Sequence, residues 1–127
     1  ISDPPAGATP RKGFHSITPR IVVADPEAQV AFLRSVFDAA GEHRADGPAE
    51  IRIGDSLVMV TPAGPRESFP AFLYVYVDDA DAVYRRALGA GALSLEEPLD
   101  TPYGDRRAMV RDPQGNVWQI ANVIAAS

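Results

Sequence analysis

YVDDADAVYRRALGAGA, Tyr76 to Ala92, reads as the end of a strand, a cap and a helix. Asp78-Asp79 offers side-chain oxygens to the free N–H groups that begin a helix, and Gly89 and Gly91 end it. The same grammar occurs earlier. Val23-Ala24-Asp25 is followed by Pro26 and Glu27, a proline suited to the first helical position and an acid suited to the positive end of the helix dipole. Val23 matches Val77, Asp25 matches Asp79 and Ala28 matches Ala82, at constant spacing. The chain is therefore read as a unit that occurs twice.

Working outward, each unit has strands around its helix. Phe14 to Ala24 alternates in period two, with Ile17, Ile21 and Val23 on one face and Thr18, Arg20 and Val22 on the other. Pro19 has no N–H, so this strand is expected at an edge or interrupted there. The first helix carries Ala28, Phe32, Val36 and Ala39 at helical spacing, with Gly41 as the expected C-cap. Glu50 to Ile53 and Ser56 to Thr61 flank a Gly54-Asp55 hairpin turn. Residues 62 to 70 hold three prolines and form a linker.

The second unit begins at Ala71 to Val77, with Phe72, Tyr74 and Tyr76 on one face and Leu73, Val75 and Val77 on the other. After its helix come a short strand at Leu93 to Leu95, a loop from Glu96 to Gly104, and a strand from Arg106 to Arg111. Asp112-Pro113-Gln114-Gly115 is a tight turn, and Val117 to Asn122 is the last strand. The pattern is βαβββ twice. Such units combine into a curved mixed sheet with helices outside and a cavity inside, an α+β fold. Residues 1–13 are expected to be a disordered tail, and residues 14–127 one domain.

Composition narrows the function. The chain has 127 residues, no cysteine and a net charge of −5 without a basic cluster. Disulfides, thiolate metal sites and cysteine nucleophiles are excluded, and a nucleic-acid partner is not expected. No apolar run is long enough for a bilayer and no charged-then-apolar leader is read, so no membrane partner and a cytoplasmic location are expected. There is no Gly-x-Ser-x-Gly elbow and no Gly-rich phosphate loop.

The repeat, the two Val-x-Asp helix starts, IRIGDSLVMV (Ile51 to Val60) and TPYGDRRAMVRDPQGNVWQIAN (Thr101 to Asn122) together resemble the vicinal-oxygen-chelate superfamily. That group holds glyoxalase I, extradiol dioxygenases, fosfomycin-resistance transferases and bleomycin-resistance proteins. The resemblance spans Ile17 to Val123, and it implies a homodimer, with or without strand swapping, that completes the site. It also implies four inward metal-ligand positions, which fall here on Thr18, Met59, Phe72 and Gln119. A divalent ion wants imidazole or carboxylate at such positions. Gln119 alone is a candidate, and one neutral amide does not hold an ion in water. No metal and no other cofactor is expected.

An aromatic pocket with a few polar tips is expected instead, built from Arg20, Met59, Phe72, Tyr74, Tyr76, Tyr103, Arg106, Trp118 and Gln119. Trp118 points to the helix side by alternation but stands near a strand end, where an indole reaches a pocket rim. Plainer roles stand beside these: core packing for Phe72, core or dimer contact for Trp118, a backbone hydrogen bond for Gln119, and exposure to solvent or pairing with Asp105 for Arg106 and Arg107. The expected function is sequestration of a hydrophobic, aromatic or glycopeptide-like antibiotic in metal-free cavities at a dimer interface. The alternatives are a metal-independent natural-product tailoring enzyme, such as an isomerase, cyclase or lyase, and a regulatory domain with an ordinary filled core.

Overall fold

The computed structural model describes residues 10 to 64 and 67 to 124. Its elements run β1 (Arg20–Val23), α1 (Pro26–Phe37), β2 (Ala49–Ile53), β3 (Ser56–Pro62), β4 (Phe72–Tyr76), α2 (Ala80–Gly89), β5 (Leu93–Asp100), β6 (Asp105–Arg111) and β7 (Val117–Val123). They form two mixed sheets, ordered β1-β3-β2 and β4-β7-β6-β5. In each, the strand before the helix pairs in parallel with the last strand of its unit. Arg20 lies opposite Met59, and Tyr74 lies opposite Gln119. The sequence repeat is thus also a repeat of strand register. In the first unit, the strand expected after the helix shrinks to a single bridge between Ala40 and Arg52.

Both helices start where their caps predict. The Asp25 carboxylate accepts from the Ala28 N–H, and that of Asp79 from the Ala82 N–H, each at 3.1 Å. The end of α1 is different from expectation. Asp38, not Gly41, closes it in the left-handed conformation, with its N–H donating to Leu33. Gly41 is needed for another reason: a Cβ there would stand 2.5 Å from the Glu50 carbonyl, at φ +120°.

Two strand boundaries also move. β1 starts only after Pro19, which has no N–H for a ladder, so Phe14 to Pro19 is not strand. β5 runs on to Asp100 through the expected loop. It is an edge strand, and register shifts on either side of Glu96 let it carry Pro98. Residues 10 to 13, expected in the tail, form a turn with the Arg11 guanidinium over the Phe14 ring and paired with Glu50. The rest of the expected tail lies outside the described residues.

The core lies between the sheets and the helices. Ile21, Val23, Leu33, Val36, Ile51 and Val60 fill it in the first unit, and Val83, Ala87, Ala108, Val110, Trp118 and Ile120 in the second. Buried polar groups join the two units. Asp112 Oδ2 accepts from Gln29 of α1 at 2.9 Å and from the Trp118 indole N–H at 2.8 Å. Its other oxygen accepts from the N–H groups of Gln114 and Asn116. Asn116 in turn donates to Gln29 and accepts from the Ala71 N–H. The Asp-Pro-x-Gly-Asn turn is therefore a clamp on α1 and β4. No described helix is long and apolar enough to cross a membrane.

Candidate functional site

Strand alternation puts Leu73 and Val75 toward the helices and leaves Phe72, Tyr74 and Tyr76 on the open face of the second sheet. Phe72 is 65% exposed and Tyr76 62%. Their neighbours on that face follow from the ladder. Gln119 lies between Tyr74 and Met109, and Ala121 between Tyr76 and Arg107. The β5–β6 turn adds Tyr103, whose hydroxyl is 3.2 Å from that of Tyr74. Five expected residues therefore share one surface: Phe72, Tyr74, Tyr76, Tyr103 and Gln119. In this single chain the surface is an open wall, not an enclosed cavity.

At its centre is Asp105, expected only as a partner for Arg106 and Arg107, which pair instead with Asp81, Asp100 and Glu96. Asp105 is only 4% exposed, and its Oδ2 accepts from the Tyr74 hydroxyl at 2.7 Å and the Tyr76 hydroxyl at 2.9 Å. A phenol has one proton to donate. Since Tyr74 gives its proton to Asp105, Tyr103 must donate to Tyr74, and Tyr103 accepts from Arg107 Nη1 at 3.1 Å. The chain of donors thus runs one way, Arg107 to Tyr103 to Tyr74 to Asp105, and Tyr76 joins at the same oxygen. Two phenols donating to one oxygen is the arrangement an ionised carboxylate wants. Arg107 is held by Glu96 through paired bonds of 2.9 and 3.2 Å.

This network sets the tyrosine chemistry. Burial, then the hydrogen bond to Asp105, pushes the Tyr74 hydroxyl well above its ordinary 10.0. For Tyr76 the bond to Asp105 comes first, and burial adds to it. Both phenols are neutral over the physiological range. The Arg107 guanidinium is held more firmly protonated, chiefly by its bonds to Glu96.

Two expected site residues lie elsewhere. Trp118 is fully buried on the helix side, its ring centroid 5.1 Å from that of Phe37. Its strand alternation prevails over its place near a strand end, because Asp112 takes its only polar group. Arg106 is one residue out of phase with the aromatic face. It bridges to Asp81 of α2 at 2.9 Å and to Asp100 at 3.1 Å. Arg107 is the arginine that faces the tyrosines. The hairpin register carries this signal, because Arg111 opposite Val117 puts Arg107 and Asp105, not Arg106, on the Gln119 face.

Arg20 and Met59 form the equivalent pair on the first sheet, with the guanidinium 3.4 Å from the sulfur. Met59 and Thr18 line a cleft of about 510 Å3 there, bordered by Arg11, Phe14, Arg44 and Glu50. The four positions implied for a metal do not fit one. Thr18 offers a hydroxyl, Phe72 a hydrocarbon and Gln119 a neutral amide, and the Met59 thioether is faced by a cation that would repel another. Among the described residues, no three His, Cys, Asp or Glu side chains converge into a metal set.

Two units that each run from a strand through a helix to an antiparallel hairpin, with the first strand paired in parallel to the last at matched register, define a known class. Residues 13–120 match the glyoxalase/bleomycin resistance protein/dioxygenase superfamily, and the chain belongs to it. TioX from Micromonospora sp. ML1 is similar in structure, with a TM-score of 0.73 at 27% identity, over 85% of this chain and 98% of TioX. A superfamily enzyme from Burkholderia phytofirmans PsJN gives a TM-score of 0.72 at 26% identity, over 83% and 95% of the two chains. An uncharacterized protein of Mycobacterium bovis is 29% identical over 127 residues, covering 86% of this chain and 84% of its own.

Proposed function

We propose that this chain is a binding protein that takes a flat aromatic small molecule onto the open face of the second sheet and retains it unchanged. Sequestration of an aromatic or glycopeptide-like antibiotic is the use we infer. The observation that carries this reading is the row Phe72, Tyr74 and Tyr76, exposed on a strand whose other face, Leu73 and Val75, packs against the core. Large aromatic groups left in contact with water mark a surface that something else covers. Ring faces provide stacking contact, and Gln119, with no side-chain partner among the described residues, provides a free amide to orient the ligand. A second copy of the chain closing over this wall would complete the cavity.

The fold does not decide the matter, because this superfamily holds both enzymes and binders. A second reading is a metal-independent enzyme, and the one-way proton chain ending at Asp105 favours it. Titration with a panel of polycyclic and glycopeptide antibiotics, followed by NMR on the Tyr74 and Tyr76 rings, tests both. Ring shifts with the drug recovered intact by mass spectrometry support binding. A transformed product supports the enzyme. No ring shift with any member of the panel removes both.

A further inference from the structure

We infer that the aromatic wall is a receptor for organic cations: planar or alkylated ammonium groups seated against the rings of Tyr74, Tyr76 and Tyr103 above Asp105. This rests on the reading of that wall as the ligand surface and goes on to name the charge of what it takes.

The argument is one of unbalanced charge. Asp105 is buried, and its hydrogen bonds come from neutral phenols. Neither arginine that neighbours it in sequence bonds to its carboxylate, although Arg107 donates to Tyr103 on the wall. Arg106 is paired with Asp81 and Asp100 on the helix side, and Arg107 is paired with Glu96. The sum over Asp105, Glu96 and Arg107 is one negative charge beneath the aromatic surface. A phenol that donates to an anion gains electron density in its ring, and a cation over an aromatic face is attracted by that density. The Tyr74 and Tyr76 rings stand side by side on the wall, 5.4 Å apart at 59°, and Tyr76 is the more exposed of the two. Their hydroxyls already hold partners, so the rings, not the oxygens, are what the wall offers. A neutral ligand gains only the stacking. An anion seated there meets the field of Asp105, and the exposed guanidinium of Arg111 on the same face stands six strand residues away, opposite Val117, too far along the strand to offset it.

The test uses a charge series of similar shape: N-methylquinolinium, quinoline at mildly alkaline pH where it is uncharged, and 1-naphthoate. Affinities are read by calorimetry, with NMR of the tyrosine rings locating the site. The cation should bind about tenfold more tightly than quinoline, with naphthoate weakest. That preference should shrink as salt is raised, since its origin is charge. In Asp105→Asn the ratio of cation to neutral affinity should fall toward one. Equal affinity across the series, or a preference for naphthoate, overturns the cation receptor while leaving the wall a ligand surface. Absence of ring shifts with all three probes overturns both. Should Asp105→Asn not fold, the wild-type series and its salt dependence decide the point alone.

Discussion

The indole N–H of Trp118 donates to Asp112 Oδ2 at 2.8 Å, inside the core and on the face opposite Gln119. That bond ties the last strand to the turn that precedes it, and the same oxygen holds Gln29 of α1. One carboxylate thus joins the two repeats.

The first prediction follows from that position. Trp118→Phe removes a buried donor and leaves space beside Phe37, so it should cost about 2 to 4 kcal/mol in urea denaturation. Ligand affinity at the tyrosine wall should not change, because Trp118 does not reach that face. Trp fluorescence of the wild type should likewise respond little to ligands seated there. Strong quenching by a ligand that also shifts the Tyr76 ring would place the indole at the site after all.

Gly41 and Gly54 give the second. Both have positive φ, but a Cβ at Gly41 would lie 2.5 Å from the Glu50 carbonyl, whereas nothing lies within 4 Å at Gly54. Gly54→Ala should therefore cost only the backbone strain, about 1 kcal/mol. Gly41→Ala must also push β2 away, and should cost at least about 1 kcal/mol more than Gly54→Ala, measured by the same denaturation. Equal losses would show that the strand yields freely.

These glycines show what was legible in the sequence. Capping at Asp25 and Asp79 and the repeat itself are local or periodic signals, and the structure keeps them. The end of α1 is not such a signal. Asp38 can adopt the left-handed cap, and Gly41 is required by a strand 9 residues further on, a contact no local pattern reports. β5 extends past Pro98 because an edge strand tolerates bulges, which a proline count reads as loop. The aromatic face was visible as the alternation Phe72, Tyr74, Tyr76. Its centre was not, because Asp105 sits between a turn and two arginines and looks like a surface residue until the hairpin register turns it inward. Gln29 was hidden in the same way, a polar residue in a helix whose partner lies 83 positions away.

The third prediction concerns alkaline pH. The Tyr74 and Tyr76 hydroxyls are raised above 10.0, by burial first for Tyr74 and by the bond to Asp105 first for Tyr76. A group whose value is raised on folding favours the folded state below its unfolded value, and that contribution is lost as pH rises toward its folded value. Stability should thus be level through neutral pH and decline above about pH 10. Asp105→Asn removes the charge that opposes phenolate formation. Spectrophotometric titration should then show the two tyrosines ionising at lower pH than in the wild type. Unaltered titration in the variant would mean that Asp105 does not control them.

The last prediction addresses the metal chemistry of the wider superfamily. Gln119→Glu installs a carboxylate at the one implied ligand position that now carries an amide. It should still give no tight, one-to-one uptake of zinc or nickel in calorimetry. A single carboxylate leaves an ion with water for every other ligand, and the partner positions remain Thr18, Met59 and Phe72. Arg20, 3.4 Å from the Met59 sulfur, adds a repelling charge at the matched position of the first sheet. The substitution should act instead on the tyrosine wall, where a second negative charge opposite Tyr74 would strengthen binding of N-methylquinolinium and weaken that of 1-naphthoate. Tight metal uptake by Gln119→Glu alone would mean that other donors converge on this position, and that the repeat register assigned to Met59 and Gln119 is not the one that matters for the site.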